Sequence, residues 1–399
     1  MTTRKRILFV DDEEMVLQGL RRMLRPLREE WDMEFVESGV KALELMAQQP
    51  FDVIIADMRM PGMNGAELLN EVMRRHPQTV RFILSGQAEK DLIMKCIGAT
   101  HQYLAKPCEP DALKATVART TSLDFNLTNE RVRALVSRID RLPSLPSLYL
   151  ELNKVLADDQ VSTDQIGNVI GKDIAMTGQV LKIVNSAFFG LRREITTPDE
   201  AASYLGADIL KALVLVLSVF SQFDKTRVSG FSIEELWHHS MEVAAGARLL
   251  ARCEKADNIV VNESFTAGIL HQAGQLVLVS NFPDEYAAVL LRRKNEGLSD
   301  IAAERVIFGT THIEVGGYLF GLWGLPVPIV EAIGLHHQPM LSPERRLGAL
   351  TTVHVANALL TSGVNATAVD EAYLQEAGLL DRLPEWKSQL ESSQSKIAA

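Results

Sequence analysis

The alternation of apolar and polar positions changes character once along the chain, near residue 142. From Lys5 to Arg119, short apolar runs alternate with segments whose apolar residues recur every three or four positions. The runs predict strands near 6–10, 33–36, 52–56, 80–84 and 101–104, and the segments predict helices near 14–27, 39–48, 65–75, 88–97 and 109–120. Five strands alternating with five helices predict an α/β doubly wound, five-stranded parallel sheet of the flavodoxin-like kind. Past the pair Pro143 and Pro146 the period is helical throughout, with no strand, internal repeat or low-complexity segment. Candidate helices there include 145–157, 173–186, 207–222, 232–253, 262–280, 311–321, 327–337 and 343–361, an all-α, many-helix domain. After Thr361 the pattern weakens to short helices over Glu371 to Ala377 and Pro384 to Leu390, and Glu391 to Ala399 is predicted to be disordered. The predicted division is 1–122, a helical linker over 123–142, the helical domain over 143–361, and a tail over 362–399.

Composition narrows the class without changing the division. The chain has 399 residues, 47% hydrophobic and 23% charged, the balance of a soluble globular protein with more than one core. Its longest apolar run, Ala212 to Leu217, falls far short of the roughly 18 residues of a membrane span. Only Ile7 to Val10 separate the basic Arg4, Lys5 and Arg6 from Asp11, which predicts no signal peptide. Cys96, Cys108 and Cys253 show no metal or redox spacing, a usage that fits a reducing cytoplasm. The net charge of -10 is unevenly placed: residues 1–122 hold 17 basic and 18 acidic side chains, so nearly all the excess lies beyond them. Phosphate-backbone binding needs clustered positive charge, which argues against nucleic acid as a partner of the helical part.

Candidate chemistry in the first domain collects at strand ends. In FDVIIADMRMPGMNG, a short apolar strand delivers Asp57 to its carboxyl end, ahead of a loop with Pro61, Gly62 and Gly65. Strand one ends in Asp11 and Asp12, strand four in Ser85, and strand five leads to Lys106. The carboxyl ends of the strands are where open parallel sheets collect ligands. Three carboxylates gathered there repel one another unless a hard divalent cation sits among them, and oxygen ligands suit Mg2+. A carboxylate, a metal, a hydroxyl and a lysine at one point make a phosphoryl-transfer site with Asp57 as the nucleophile.

The motifs ILFVDDEE, VIIADMRMPGMNG, FILSG and YLAKP, in that order, resemble the receiver domain of two-component response regulators over about the first 120 residues. The resemblance implies that Asp57 accepts phosphate from a sensor histidine kinase or phosphotransfer protein. It implies Mg2+ held by Asp11, Asp12, Asp57 and the Arg59 backbone carbonyl, phosphoryl oxygens held by Ser85 and Lys106, and Tyr103 as the aromatic whose rotamer follows Ser85.

The second domain is rich in histidine: His239 within LWHHS, His271 in AGILHQAG, His312 in FGTTH, then His336 and His337, with Asn357 in HVANAL. These segments resemble the metal-dependent HD phosphohydrolases, in which a His, a His-Asp pair and a distant Asp bind metal. His239 and His271 match the two histidines, but Gln272 stands in place of the paired Asp and Asn357 in place of the distant one. Two neutral amides for two carboxylates remove the charge that a binuclear hydrolytic centre requires, while the imidazoles keep the means for weak transition-metal binding. A closer resemblance, carried by LPSLPSLYLELNKVL, VLKIVNSAFFG and TPDEAASYLGADILKALVL, is to the HDOD domain, an HD-related output module of bacterial signalling proteins. It implies an all-helical, usually non-catalytic module. Asn185 is expected to satisfy buried backbone.

The sequence therefore predicts a response regulator in which phosphorylation of Asp57 is relayed to a degenerate HDOD module acting by protein contacts, on an unidentified downstream protein or as a homodimer. The alternatives are a metal-dependent phosphodiesterase acting on a cyclic dinucleotide or other nucleotide, and a nucleotide or metal sensor without turnover.

Overall fold

A computed structural model describes residues 4–76, 79–85, 102–105, 113, 132, 135, 147–156, 161–185, 195–222, 228–323 and 325–397. The chain divides into two compact units, one of Met1–Leu145 with Leu319–Leu325 and one of Pro146–Tyr318 with Pro326–Ala399.

The first unit contains a five-stranded parallel sheet. Its strands are β1 (Lys5–Val10), β2 (Trp31–Val36), β3 (Val53–Asp57), β4 (Val80–Ser85) and β5 (Gln102–Ala105), in the order β2-β1-β3-β4-β5. Central parallel strands are covered on both faces and read as unbroken apolar runs, and every residue of β3 is buried. The helices α1 (Glu14–Met23), α2 (Gly39–Gln48) and α3 (Gly65–Arg75) complete the described part. Ser38 caps α2 through its hydroxyl, which accepts from the Lys41 amide, and Asn64 and Glu67 close a reciprocal capping box at α3. The helices predicted at 88–97 and 109–120 lie outside the described residues, apart from Leu113, which is helical and buried. The predicted linker is described only at Val132 and Leu135, both helical and buried.

The second unit is helical throughout its described residues. Its centre is the long helix Ile233–Cys253, with Asn258–Leu270 and Ala349–Leu360 packed against it. As expected, Asn185 satisfies backbone: its amide donates to the Ile195 carbonyl at 2.7 Å and accepts from the Ile195 amide at 2.8 Å.

Two expectations need correction. The helix predicted over 262–280 is two helices, Asn258–Leu270 and Ala273–Asn281, and the break falls at His271 and Gln272. The apolar periodicity runs through the break because both halves are buried, so pattern alone does not register it. The disordered tail is also corrected: a helix runs from Leu383 to Ile397. Trp386 anchors it, fully buried, its indole N–H donating to Glu254 Oε1 at 2.8 Å, while Arg382 Nε donates to the same oxygen at 2.8 Å. One buried indole removes roughly 150–250 Å² of surface, enough to fix a helix whose flanks are polar.

The break at His271 is held by a close approach of backbones. A Cβ on Gly274 would stand 1.9 Å from the His312 carbonyl oxygen, so the start of Ala273–Asn281 packs directly on the start of helix His312–Leu322. Gly274→Ala is expected to lower stability by about 3 kcal/mol, the upper part of the usual range for overpacking. A Cβ on Gly178, inside helix Ile174–Val184, would meet nothing within 4 Å, and Gly178→Ala will be neutral or stabilising. Urea midpoints of the two variants check the contrast, and equal midpoints would refute it.

Candidate functional site

In the first unit, chain order places β1 and β3 side by side while the connections leave them in opposite directions. That makes a crevice at their carboxyl ends. Val10 pairs with Ala56, so Asp11 and Asp57 follow at the same level on neighbouring strands. Both are buried, at 1% and 7% exposure, whereas Asp12 is exposed. Asp11 Oδ1 accepts from the Glu13 amide at 3.0 Å, and Asp57 Oδ2 accepts from the Arg59 amide at 3.0 Å. The loop after Asp57 is shaped by glycine. Gly62 has φ of 79°, in the left-handed region, and a Cβ on Gly65 would lie 2.2 Å from the Asp57 carbonyl oxygen. The Gly65 amide donates to the Met58 carbonyl at 3.0 Å, which closes the loop onto the strand end.

Ser85 is the last residue of β4 and Tyr103 lies in β5, so both occupy the sheet positions expected of them. Lys106 lies outside the described residues. Among the described residues no group of three or more His, Cys, Asp or Glu side chains is arranged to hold a metal ion. Two buried carboxylates and a main-chain oxygen are nonetheless a hard donor set, and Mg2+ characteristically takes one or two carboxylates and keeps several waters.

The second unit brings its sequence-predicted residues together around one cavity of about 430 Å³, lined by His239, Gln272, His312, His337 and Asn357 among others. His271 and His336 stand behind it, fully buried. Ring centroids are 5.4 Å apart for His239 and His271, 5.0 Å for His271 and His336, and 4.5 Å for His336 and His337. Asn357 joins two of the imidazoles. Its Oδ1 lies 3.1 Å from His239 Nε2 and accepts the Thr361 hydroxyl at 3.0 Å, while its Nδ2 lies 3.4 Å from His337 Nε2. The neutral Asn357 amide thus links His239, His337 and Thr361 on the cavity wall.

Proton positions follow from the partners. His271 Nδ1 lies 2.6 Å from the Gly268 carbonyl and His336 Nδ1 lies 3.0 Å from the Ile333 carbonyl. A carbonyl only accepts, so both rings carry their proton on Nδ1 and present a bare Nε2. Burial holds both well below the usual histidine range, helped by neighbouring imidazoles. Burial likewise brings His337 down to about 3. His354 Nδ1 donates to the His336 carbonyl at 2.7 Å and its Nε2 accepts from the Asp370 amide at 2.8 Å, a fully satisfied structural ring.

His312 differs from all of these. Its Nδ1 lies 2.7 Å from Glu304 Oε2, and its amide donates to the same oxygen at 2.8 Å. Glu304 is completely buried and also accepts from the Tyr286 hydroxyl at 3.4 Å. Burial pulls the His312 pKa down, the Glu304 charge pulls it up, and the net shift is upward. The sequence pattern did not single out Glu304 or Tyr286. The available signal was a carboxylate at an inward position of helix Asp300–Phe308, directly after buried Ala303.

The described residues thus form an α/β domain with an acidic crevice and a helical domain whose histidines gather around one cavity. Comparison with known proteins makes this specific. The family model of the response regulator receiver domain matches residues 7–118 and that of the HDOD domain matches 142–339. The chain belongs to the response regulators that carry an HDOD output domain. Asn357 and its helix lie beyond the matched span.

A protein of Treponema pallidum (strain Nichols), described as uncharacterized, is 25% identical over 270 residues, 67% of this chain and 51% of its own length. The hydrogenase transcriptional regulatory protein HoxA of Cupriavidus necator is 40% identical over 113 residues, 28% of this chain and 23% of that protein. The chain thus spans about half or less of the length of these curated relatives. The crystal structure of an HDOD domain protein from Geobacter sulfurreducens matches with a TM-score of 0.57 at 24% identity, over 69% of this chain and 96% of that one, a likeness of fold. No described helix is long and apolar enough to cross a membrane.

Proposed function

We propose that the chain is phosphorylated on Asp57 by a histidine kinase or phosphotransfer protein, and that the HDOD domain converts this event into a change of protein contacts. The observation that carries the reading is the level pairing of buried Asp57 with buried Asp11 at the β1–β3 crevice. Asp11, Asp57 and the Arg59 carbonyl would hold Mg2+, with Asp12 beside them, and the ion would offset the charge of the incoming phosphoryl group. Ser85 and Lys106 would receive phosphoryl oxygens, and Tyr103 would follow Ser85. Added negative charge is what such groups reorganise around. Mass spectrometry after incubation with acetyl phosphate and Mg2+ tests this reading, with the modification expected on Asp57 alone.

The HDOD domain acts in this reading without hydrolysis. Gln272 and Asn357 supply amides where a binuclear centre needs anions, and Asn357 is already engaged with His239, His337 and Thr361. Incubation with cyclic dinucleotides and Mn2+ is expected to give no more turnover than the His271→Ala variant. Robust hydrolysis that disappears in His271→Ala would establish a phosphodiesterase instead.

A further inference from the structure

The cavity of the second unit carries an imbalance of charge on its wall. Arg293 is the one lysine or arginine that lines it, and its guanidinium is paired with Asp300 at 2.9 Å. Glu235 and Glu242 also line it, and among the described residues neither is paired with a lysine or arginine. Glu242 is partly buried, and the basic group beside it is the exposed His238 ring at 3.6 Å, which carries charge only when protonated. The cavity histidines do not supply the balance. His312 is matched by the Glu304 carboxylate behind it, and burial keeps His239 and His337 below the usual histidine range. Two carboxylates are left for whatever enters.

Their spacing limits what that is. Glu235 and Glu242 stand two turns apart on one face of the helix Ile233–Cys253, about 10 Å along its axis. Helix side chains that meet at one point are three or four residues apart. Two turns therefore suit two separate cationic groups better than one metal ion.

A second, independent feature points to a ligand. Gln275 is 6% exposed, yet its side-chain amide makes no hydrogen bond among the described residues and is open to the cavity rather than enclosed by packing. A buried amide needs a partner, and its Oε1 is an acceptor for an ammonium N–H. Leu236, Leu290 and Leu360 add apolar wall, and a volume of about 430 Å³ is within the range of small-molecule sites.

We propose that this cavity binds an aliphatic diamine, with one ammonium on Glu242, the other on Glu235 and the alkyl chain against the leucines. The HDOD domain then has a small-molecule input of its own, beyond its proposed action through protein contacts and independent of phosphorylation at Asp57.

Isothermal titration calorimetry of the full, unphosphorylated chain with putrescine tests this, against butylamine, butanediol and MnCl2. Putrescine is expected to bind saturably, one molecule per chain. Butanediol, equally long but uncharged, will not bind. Butylamine carries the single ammonium of a lysine side chain and will bind about tenfold more weakly, the effect of one hydrogen bond between charged groups. Glu242→Gln is expected to weaken putrescine by about tenfold for the same reason, and Glu235→Gln to bring putrescine and butylamine to one affinity. Glu234→Gln removes the same charge from an exposed position outside the cavity lining and will leave binding unchanged. No saturable binding of putrescine, equal affinity for butylamine in the wild-type chain, or equal weakening by Glu234→Gln would overturn the proposal. Displacement of putrescine by MnCl2, where NaCl of the same ionic strength displaces none, would overturn it in favour of a metal site. Each of these results leaves the labelling of Asp57 untouched, so this proposal and the reading of the first unit fail separately.

Discussion

Asp57→Asn will take up no phosphoryl group from acetyl phosphate and Mg2+ under conditions in which the wild-type chain is modified. The expected effect is complete, because an amide has neither the charge nor the nucleophilicity of a carboxylate. The substitution is nearly isosteric, and the hydrogen bond from the Arg59 amide to Asp57 Oδ2 survives with the Asn oxygen in that place. Stability is therefore expected to change little, and loss of labelling will report chemistry rather than unfolding. Asp11→Asn separates the roles further. It leaves the nucleophile in place and removes one anionic oxygen from the crevice, so labelling will persist but demand a higher Mg2+ concentration. Labelling that continues unchanged in Asp57→Asn would place the acceptor elsewhere and end the present reading of the first unit.

The parts of this molecule that could be read from sequence are those in which one residue pattern maps onto one physical environment. Central parallel strands announce themselves as continuous apolar runs, and β3, buried along its whole length, is where Asp57 was found at the end of such a run. Strand order could not be read this way, since pairing is set by crossover connections, yet it is what puts Asp11 level with Asp57. In the helical unit the histidines were conspicuous because imidazoles are rare on apolar helix faces. Their grouping around one cavity depends on tertiary packing: His239 and Asn357 are 118 residues apart and in contact. Glu304 was missed for the opposite reason. A glutamate in a helix is the least conspicuous of residues, and only its zero exposure and its contact with His312 single it out. The terminal helix was missed because a single tryptophan in a polar stretch has no periodicity, although its burial against Glu254 fixes the segment.

The same histidines make the helical unit sensitive to acid. His271 and His336 are neutral and fully buried, with pKa values held well below that of an exposed histidine, and His337 is brought to about 3. In the unfolded chain each titrates near 6.5, so below that pH the unfolded state binds more protons and stability falls as pH falls. Each fully buried ring therefore lowers stability progressively as pH falls through 6.5, and His337, which is partly exposed, adds to the loss. His312 has the opposite sign. Its raised pKa gives a contribution that is complete below the unfolded value and is lost only as pH rises through the folded one, so it does not oppose the acid loss. A folded domain is typically stable by only about 5–15 kcal/mol, so several rings that take up protons only on unfolding weigh on that margin. Urea unfolding of the wild-type chain followed by far-ultraviolet circular dichroism, at pH 7, 6 and 5, is expected to show the helical transition moving steeply to lower urea below pH 6.5. A midpoint that stays level down to pH 5 would mean that these imidazoles are protonated in the folded state, and the assignment of bare Nε2 atoms to His271 and His336 would fall with it.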